Sequence, residues 1–283
     1  MPRPGARILL SLLLLAPWGG LFAAEAKPLL FGLFPNLSPR ILVATYQPMR
    51  DYLEAELGRP VELVTAANFE TFSRHILARE YDLMVAAPHL ARLGQLDAGY
   101  HLLAHYRQPI QAWVVVSADS EIRDLRGLSG KRVAIPDRLA IMSSLGTEML
   151  AKAGLQVDRH YRMYEAKSHN NAALSVLNRQ ADAAVIGSIP FQQLTKEVRD
   201  RLRVIDKSKP IPSQYFAASG KLSGQERARI ARALLRFADT SGGKAFIERY
   251  GMLGIVAARQ DELKEMDGQA RQVRRWLEET PSP

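Results

Sequence analysis

The chain has 283 residues, no cysteine, and 38 basic against 29 acidic side chains, a formal charge of +9 at pH 7. The absence of cysteine excludes a disulfide framework, thiolate metal sites and cysteine nucleophiles, so a packed core must hold the fold, and this length supplies one. The basic excess favours anionic partners, but the lysines and arginines are spread along the chain, unlike the clustered footprint of a nucleic-acid-binding face.

Residues 1–26 begin with the basic MPRPGAR, continue with the apolar ILLSLLLLAPWGGLF and end in AAEA. This is the layout of a secretory signal peptide with an A-x-A site at Ala24-Glu25-Ala26, and its apolar part is short for a membrane span. The mature chain is therefore expected to start at Lys27 as a soluble periplasmic protein, with no cysteine to lipidate.

Residues 29–34 read as a strand closed by the turn-rich Pro35-Asn36-Leu37-Ser38-Pro39. Residues 40–57 repeat apolar side chains at helical spacing, stop at Gly58, and carry Pro48, which predicts a kink. A strand at 61–64, a helix over 69–80 capped by Asn68, a strand at 83–86 and a helix opened by Pro88 follow. Strand, helix, strand, helix, strand predicts a mostly parallel sheet covered on both faces. Strands at 102–104 and 112–117 come next, and the polar, glycine-bearing residues 120–130 are the expected crossing to a second lobe.

A second series begins with a strand at 131–135, broken by Pro136-Asp137. After a loop, Ser143-Ser144 is expected to open a helix that Gly154 stops. Strands at 161–165 and 183–186 flank a helix capped by Ser168. REYDLMVAAP and RQADAAVIGS share one order (helix end, acidic residue, apolar strand, small-residue loop), so each is the expected third strand of its lobe. Residues 207–212 carry two prolines and read as the return; 214–218 is a strand crossing back. Ser223-x-x-Glu226 is a capping box, a short helix surrounds Phe246 and Tyr250, and the amphipathic tail 261–279 should pack on the first lobe. The expected fold class is α/β: two hinged lobes, each a mostly parallel sheet flanked by helices. Residues 27–118 and 211–283 would form one lobe and 119–210 the other.

Open α/β sheets bind ligands beyond the carboxyl ends of their strands. Those ends are 35–39, 66–68 and 87–89 in the first lobe, and 136–144, 167–171 and 187–190 in the second. A helix start there offers unpaired N–H groups and a positive dipole end, a receiver for anions. Ser143 and Ser144 are accordingly either oxyanion contacts or plain helix caps. Ala87, Pro88, His89 and Asn170 sit in the same set of loops. One shared, electropositive gap between the lobes is the expected site. Enzyme signatures do not accompany it: Gly187-Ser188 lacks the G-x-S-x-G elbow, and no phosphate loop or dinucleotide fingerprint occurs. His101 and His105 are four apart, a spacing that suits a metal only on a helix, and their stretch is strand-like. No catalysis, no cofactor and no metal are expected.

Five blocks in order identify a resemblance: FGLFPNLSP, TYQPMRDYLEAELGRPVEL, AREYDLMVAAPHLA, DLRGLSGKRVAIPD and KSHNNAALSVLNRQADAAV. Together they resemble the periplasmic substrate-binding proteins of phosphonate, phosphite and phosphate ABC importers over nearly all of the chain after the leader. The resemblance implies a type II periplasmic binding fold, capture of a small oxyanion between the lobes, delivery to an importer permease, and a monomer. It also implies ligand roles for Tyr46, which reads equally as core, and for His169, whose other reading is a hydrogen bond to a loop carbonyl and whose block favours the ligand role. Where the family carries a Ser/Thr-rich anion loop, this chain has Ala140-Ile141-Met142-Ser143, and Val85 and Ala87 stand at the family's Tyr and Gly. A second expectation, from a different class, is a receptor that presents its closed form to a membrane sensor kinase or cyclase.

Overall fold

The computed structural model describes residues 27–37 and 39–280, and the expected leader, residues 1–26, lies outside them. β1, Leu29–Leu33, buries nearly all its side chains. α1, Pro39–Leu57, runs through Pro48 and turns Leu42, Tyr46, Met49 and Leu53 inward. β2, Val61–Thr65, and α2, Phe69–Leu77, follow. The N-cap acts as expected, with Asn68 Oδ1 accepting from the Thr71 N–H at 2.8 Å. β3, Leu83–Ala86, is buried at every position, and α3, Pro88–Ala98, ends where Gly99 adopts φ +69. β4 is His101–Tyr106.

The second lobe holds β5, Ala112–Ser117; β6, Arg132–Ile135; α4, Ile141–Lys152; β7, Arg162–Glu165; and α5, His169–Leu177. β8, Ala183–Gly187, the short helices α6, Ser188–Gln193, and α7, Lys196–Asp200, and β9, Leu202–Lys207, complete it. The chain then returns for β10, Tyr215–Ala218; α8, Gly224–Phe237; α9, Ser241–Arg249; β11, Ile255–Ala257; and α10, Asp267–Glu279. Both halves of the expected capping box form on α8.

The sheets are ordered β11-β4-β10-β3-β1-β2 and β7-β6-β8-β5-β9. Each contains a parallel trio, β2-β1-β3 or β7-β6-β8. Each is then extended by an antiparallel strand arriving from the other lobe: β10 beside β3, and β5 beside β8. The sheets are thus mixed, not mostly parallel.

The two trios are built alike down to single groups. Asp82 Oδ2 accepts from the Leu30 N–H at 3.0 Å, and Asp182 Oδ2 accepts from the Arg132 N–H at 2.8 Å. In both places an arginine in the left-handed region, Arg79 at φ 57 and Arg179 at φ 60, ends the preceding helix. The repeated sequence order therefore marks equivalent strands.

One sequence expectation is corrected here. Ala112–Ser117 belongs to the second sheet, paired with β8 and β9, and not to the first lobe. Residues 120–130 are consequently not the crossing. Their 3-10 turn, Leu125–Leu128, lies after β5 and buries Leu125 and Leu128 against the second sheet's core. The chain crosses at residues 107–111 and returns at 208–214, and these two segments pair antiparallel at Ile110 and Ile211, with N–H···O distances of 2.9 Å each way. The apolar run WVVV fits the interior of either sheet, so only its long-range partners decide the matter.

Candidate functional site

The lobes enclose a cavity of about 310 Å³. Three kinds of element reach it. From the first lobe come Phe34 and Asn36 after β1, Leu42, Thr45 and Tyr46 on α1, and Ala87 before α3. From the crossing segments come Gln108, Ile110, Ser213 and Gln214. From the second lobe come the starts of α4 (Ala140, Ile141, Met142), α5 (Ser168, His169, Asn170) and α6. Five of the six strand-end loops named from the sequence reach this cavity; 66–68 does not.

Helix starts are the site's main polar resource. Ala140 is the N-cap of α4 and has no side chain to cap with. Ile141 and Met142 therefore present first-turn N–H groups for which the helix has no acceptor. On α5 the Ser168 hydroxyl accepts from the Asn171 N–H at 3.1 Å, and the N–H groups of His169 and Asn170 occupy the equivalent first turn.

His169 opens α5 and lines the cavity. The Gly187 N–H donates to its Nδ1 at 3.3 Å, which fixes the neutral tautomer with hydrogen on Nε2. Burial alone lowers its pKa to about 4. It is a neutral hydrogen-bond donor, not a cation, near neutral pH. Across the cavity, Tyr106 Oη donates to Tyr46 Oη at 3.1 Å, so the Tyr46 hydroxyl hydrogen remains to be donated. Burial is the main reason the Tyr46 pKa is pushed up to about 12. No lysine, arginine, aspartate or glutamate lines this cavity among the described residues. Any positive potential in the gap therefore comes from the helix starts and not from charged side chains.

Of the sequence-derived set, the cavity brings together Tyr46, Ala87, His169 and Asn170; Pro88, His89, Ser143 and Ser144 are not on its wall. For Ser143 the reason is loop geometry. Asp137 turns the chain tightly, its Oδ1 accepting from the Leu139 N–H at 2.8 Å and its carbonyl from the Ala140 N–H at 3.0 Å. The helix then starts at Ile141, two residues earlier than the serine pair predicts, and Ser143 Oγ donates back to the Asp137 carbonyl at 2.6 Å. Ser144 points to the other side, toward Gln272 Oε1 at 3.4 Å on α10. Pro88 only opens α3, and His89 is buried between the lobes with Nε2 against the Leu139 carbonyl at 2.8 Å. His101 and His105 lie on β4, and among the described residues no group of three or more potential metal ligands forms.

Sequence reasoning missed Gln108 because it placed the crossing at 120–130, and it passed over Ser213 and Gln214 because it read them only as the end of the return and the start of a strand. It also missed the apolar wall contributed by Tyr106, Ile110, Leu194 and Met252. A second, charged groove adjoins the cavity across Phe69 and is lined by Glu70, Asp137, Arg138, Glu165 and Lys167.

Comparison with known proteins follows from this geometry. A model of the family described as ABC transporter, phosphonate, periplasmic substrate-binding protein matches residues 31–263. A binding-protein component of an ABC phosphonate transporter from Pseudomonas aeruginosa superposes with a TM-score of 0.76, at 18% identity over 89% of this chain and 87% of that one. A Prochlorococcus marinus protein solved in complex with methylphosphonate gives 0.78, at 14% identity over 88% and 98%. A sensor-side likeness is weaker: the BvgS VFT2 domain of Bordetella pertussis gives 0.55, at 15% identity over 81% and 94%. At these identities the structures establish the fold, and the family match over most of the length establishes kinship. With that match running through both lobes, this chain belongs to the family of periplasmic substrate-binding proteins of phosphonate ABC transporters.

Proposed function

We propose that this chain captures a small oxyanion of the phosphonate, phosphite or phosphate type in the inter-lobe cavity and hands it to a membrane permease as a monomer. The observation that carries the reading is the convergence of the α4 and α5 starts on one cavity, with His169 fixed as a donor at the start of α5. The N–H groups of Ile141, Met142, His169 and Asn170 form a ready set of donors for anionic oxygens. The paired crossing at Ile110 and Ile211 is the place where the lobes can swing. Closure around the ligand expels water and strengthens the charge-assisted bonds, and the closed surface is what the permease reads.

Titration calorimetry with methylphosphonate, phosphite, phosphate and methanesulfonate, on wild type and Asn170→Asp, tests this. Asn170 lies in the first turn of α5, where an aspartate favours the helix. The variant should fold normally and lose anion binding at least a hundredfold by repulsion. Binding by none of these anions nor of their longer-chain alkyl homologues, or equal binding by the variant, would remove the oxyanion reading. A sensory role is the second reading, favoured by the likeness to the BvgS domain. Loss of ligand uptake on deletion of the chain would select transport, and loss of a transcriptional response without loss of uptake would select sensing.

A further inference from the structure

Charge, volume and wall chemistry of the cavity go further than an oxyanion in general. The starts of α4 and α5 each contribute about half an elementary positive charge. Together they match one negative charge. No lysine or arginine lines the cavity among the described residues to match a second, and His169 carries its hydrogen on Nε2 as a neutral ring. An uncompensated second charge in an enclosed site is costly.

The cavity is also larger and greasier than a bare tetrahedral anion requires. At about 310 Å³ it has the volume of about ten liquid waters, the lower edge of the range occupied by drug-sized ligands. Away from the helix starts Phe34, Leu42, Ile110, Leu194 and Met252 give it a mostly apolar wall, beside the polar Asn36, Gln108, Ser213 and Gln214 of the crossing side. The side chains of Phe34, Leu42, Ile110, Leu194 and Met252 have no hydrogen bonds to offer, so a one-carbon ligand would leave them against trapped water. Met252, flexible at its thioether, can adapt to bodies of different shape.

We infer that the ligand is a singly charged oxyanion with an apolar body of several carbons, its head seated at the starts of α4 and α5 and its body on the Phe34, Ile110 and Leu194 wall. This rests on the oxyanion reading of the same cavity and narrows it to alkyl or aryl sulfonate-like chemistry, away from the smallest phosphonates. The neutrality of the wall sets the single charge, and the apolar wall sets the body.

The test is calorimetry with n-alkanesulfonates from methane to hexane, and with hexylphosphonate at pH 6 and pH 9. Affinity should rise about fourfold per added methylene until the cavity is full, so that hexanesulfonate binds at least a hundredfold tighter than methanesulfonate. Hexylphosphonate should weaken about tenfold at pH 9, where it is a dianion, while hexanesulfonate is unchanged. Met252→Ser, at a partly exposed position, should weaken hexanesulfonate about fivefold. Affinity that is flat or falls with chain length, or tighter binding of the dianion, would overturn the inference while leaving the oxyanion reading intact. Failure of every oxyanion, short or long, would overturn both.

Discussion

His89 on the first lobe and Leu139 on the second are joined by a hydrogen bond of 2.8 Å between the imidazole Nε2 and the backbone carbonyl. A carbonyl can only accept, so Nε2 carries the hydrogen, and Nδ1 is left buried without a partner. The residue is 1% exposed and closes the interface beside the cavity without lining it. The bond ties the two lobes together in this structure. His89→Ala should lower the stability of the protein by about 1–3 kcal/mol, the usual cost of orphaning a buried acceptor, and should weaken ligand binding about tenfold. Calorimetry and thermal melts with and without ligand measure the two effects. A variant that binds and melts like wild type would show that the bond contributes nothing to closure.

The same histidine makes stability depend on pH. Burial lowers its pKa from the ordinary 6.5 to about 4, partly opposed by the Leu139 carbonyl, and His169 is lowered to about 4 as well. In the unfolded chain both take up protons more readily, so stability is full above pH 6.5 and is lost as pH falls from there toward 4. Each histidine should cost on the order of 3 kcal/mol at pH 4. His89→Phe should flatten the slope in this window by about half. Chemical denaturation at intervals between pH 7 and pH 4 reads it directly, and a slope confined to below pH 4 would contradict the assignment.

α10 ties the lobes from outside. It packs on α3 in the first lobe, where Arg274 pairs with Asp97 at 2.8 Å, and its Trp276 ring lies 4.4 Å from the Arg138 guanidinium of the second lobe. Arg138 is in turn paired with Glu165. A half-exposed cation–π contact contributes about 0.5–1 kcal/mol, which corresponds to a two- to fivefold shift in a closed–open equilibrium. Trp276→Ala should therefore raise the radius of gyration of the unliganded protein in small-angle scattering and leave the liganded value unchanged.

Gly146 lets α4 lie against the second sheet. A Cβ at this position would stand 2.6 Å from both methyl carbons of Val185 on β8. Helix propensity alone would favour alanine here by about 1 kcal/mol, but relieving the overlap means moving the helix, at about 1–3 kcal/mol. Gly146→Ala should come out destabilised by about 1–2 kcal/mol in urea. It should also bind ligand more weakly, since the shift carries Ile141 and Met142 with it.

Local signals in the chain were legible where one residue acts on its neighbours. Asn68, Ser168 and the Ser223–Glu226 box cap the helices they announce. The acidic residues that open β3 and β8, Asp82 and Asp182, revealed the paired lobes. What escaped depends on distant partners or on small shifts of register. The lobe of β5 is set by its pairing with β8 and β9, which no local pattern encodes. β9 and β11 were missed because their partly exposed residues lack a buried run. At Ser143, the Asp137 turn draws the helix start two residues forward, so Ile141 and Met142 and not the serine pair line the cavity. His89 was picked out as a ligand contact and is a lobe-to-lobe contact, because chemistry visible in sequence does not say which face of a loop a ring takes.

A crystal structure grown with methylphosphonate or hexanesulfonate tests the central claim most directly. The account predicts ligand oxygens between the first turns of α4 and α5, within hydrogen-bond distance of His169 Nε2, with the His89–Leu139 bond intact. Ligand held outside this cavity, or by one lobe alone with the lobes apart, would contradict it.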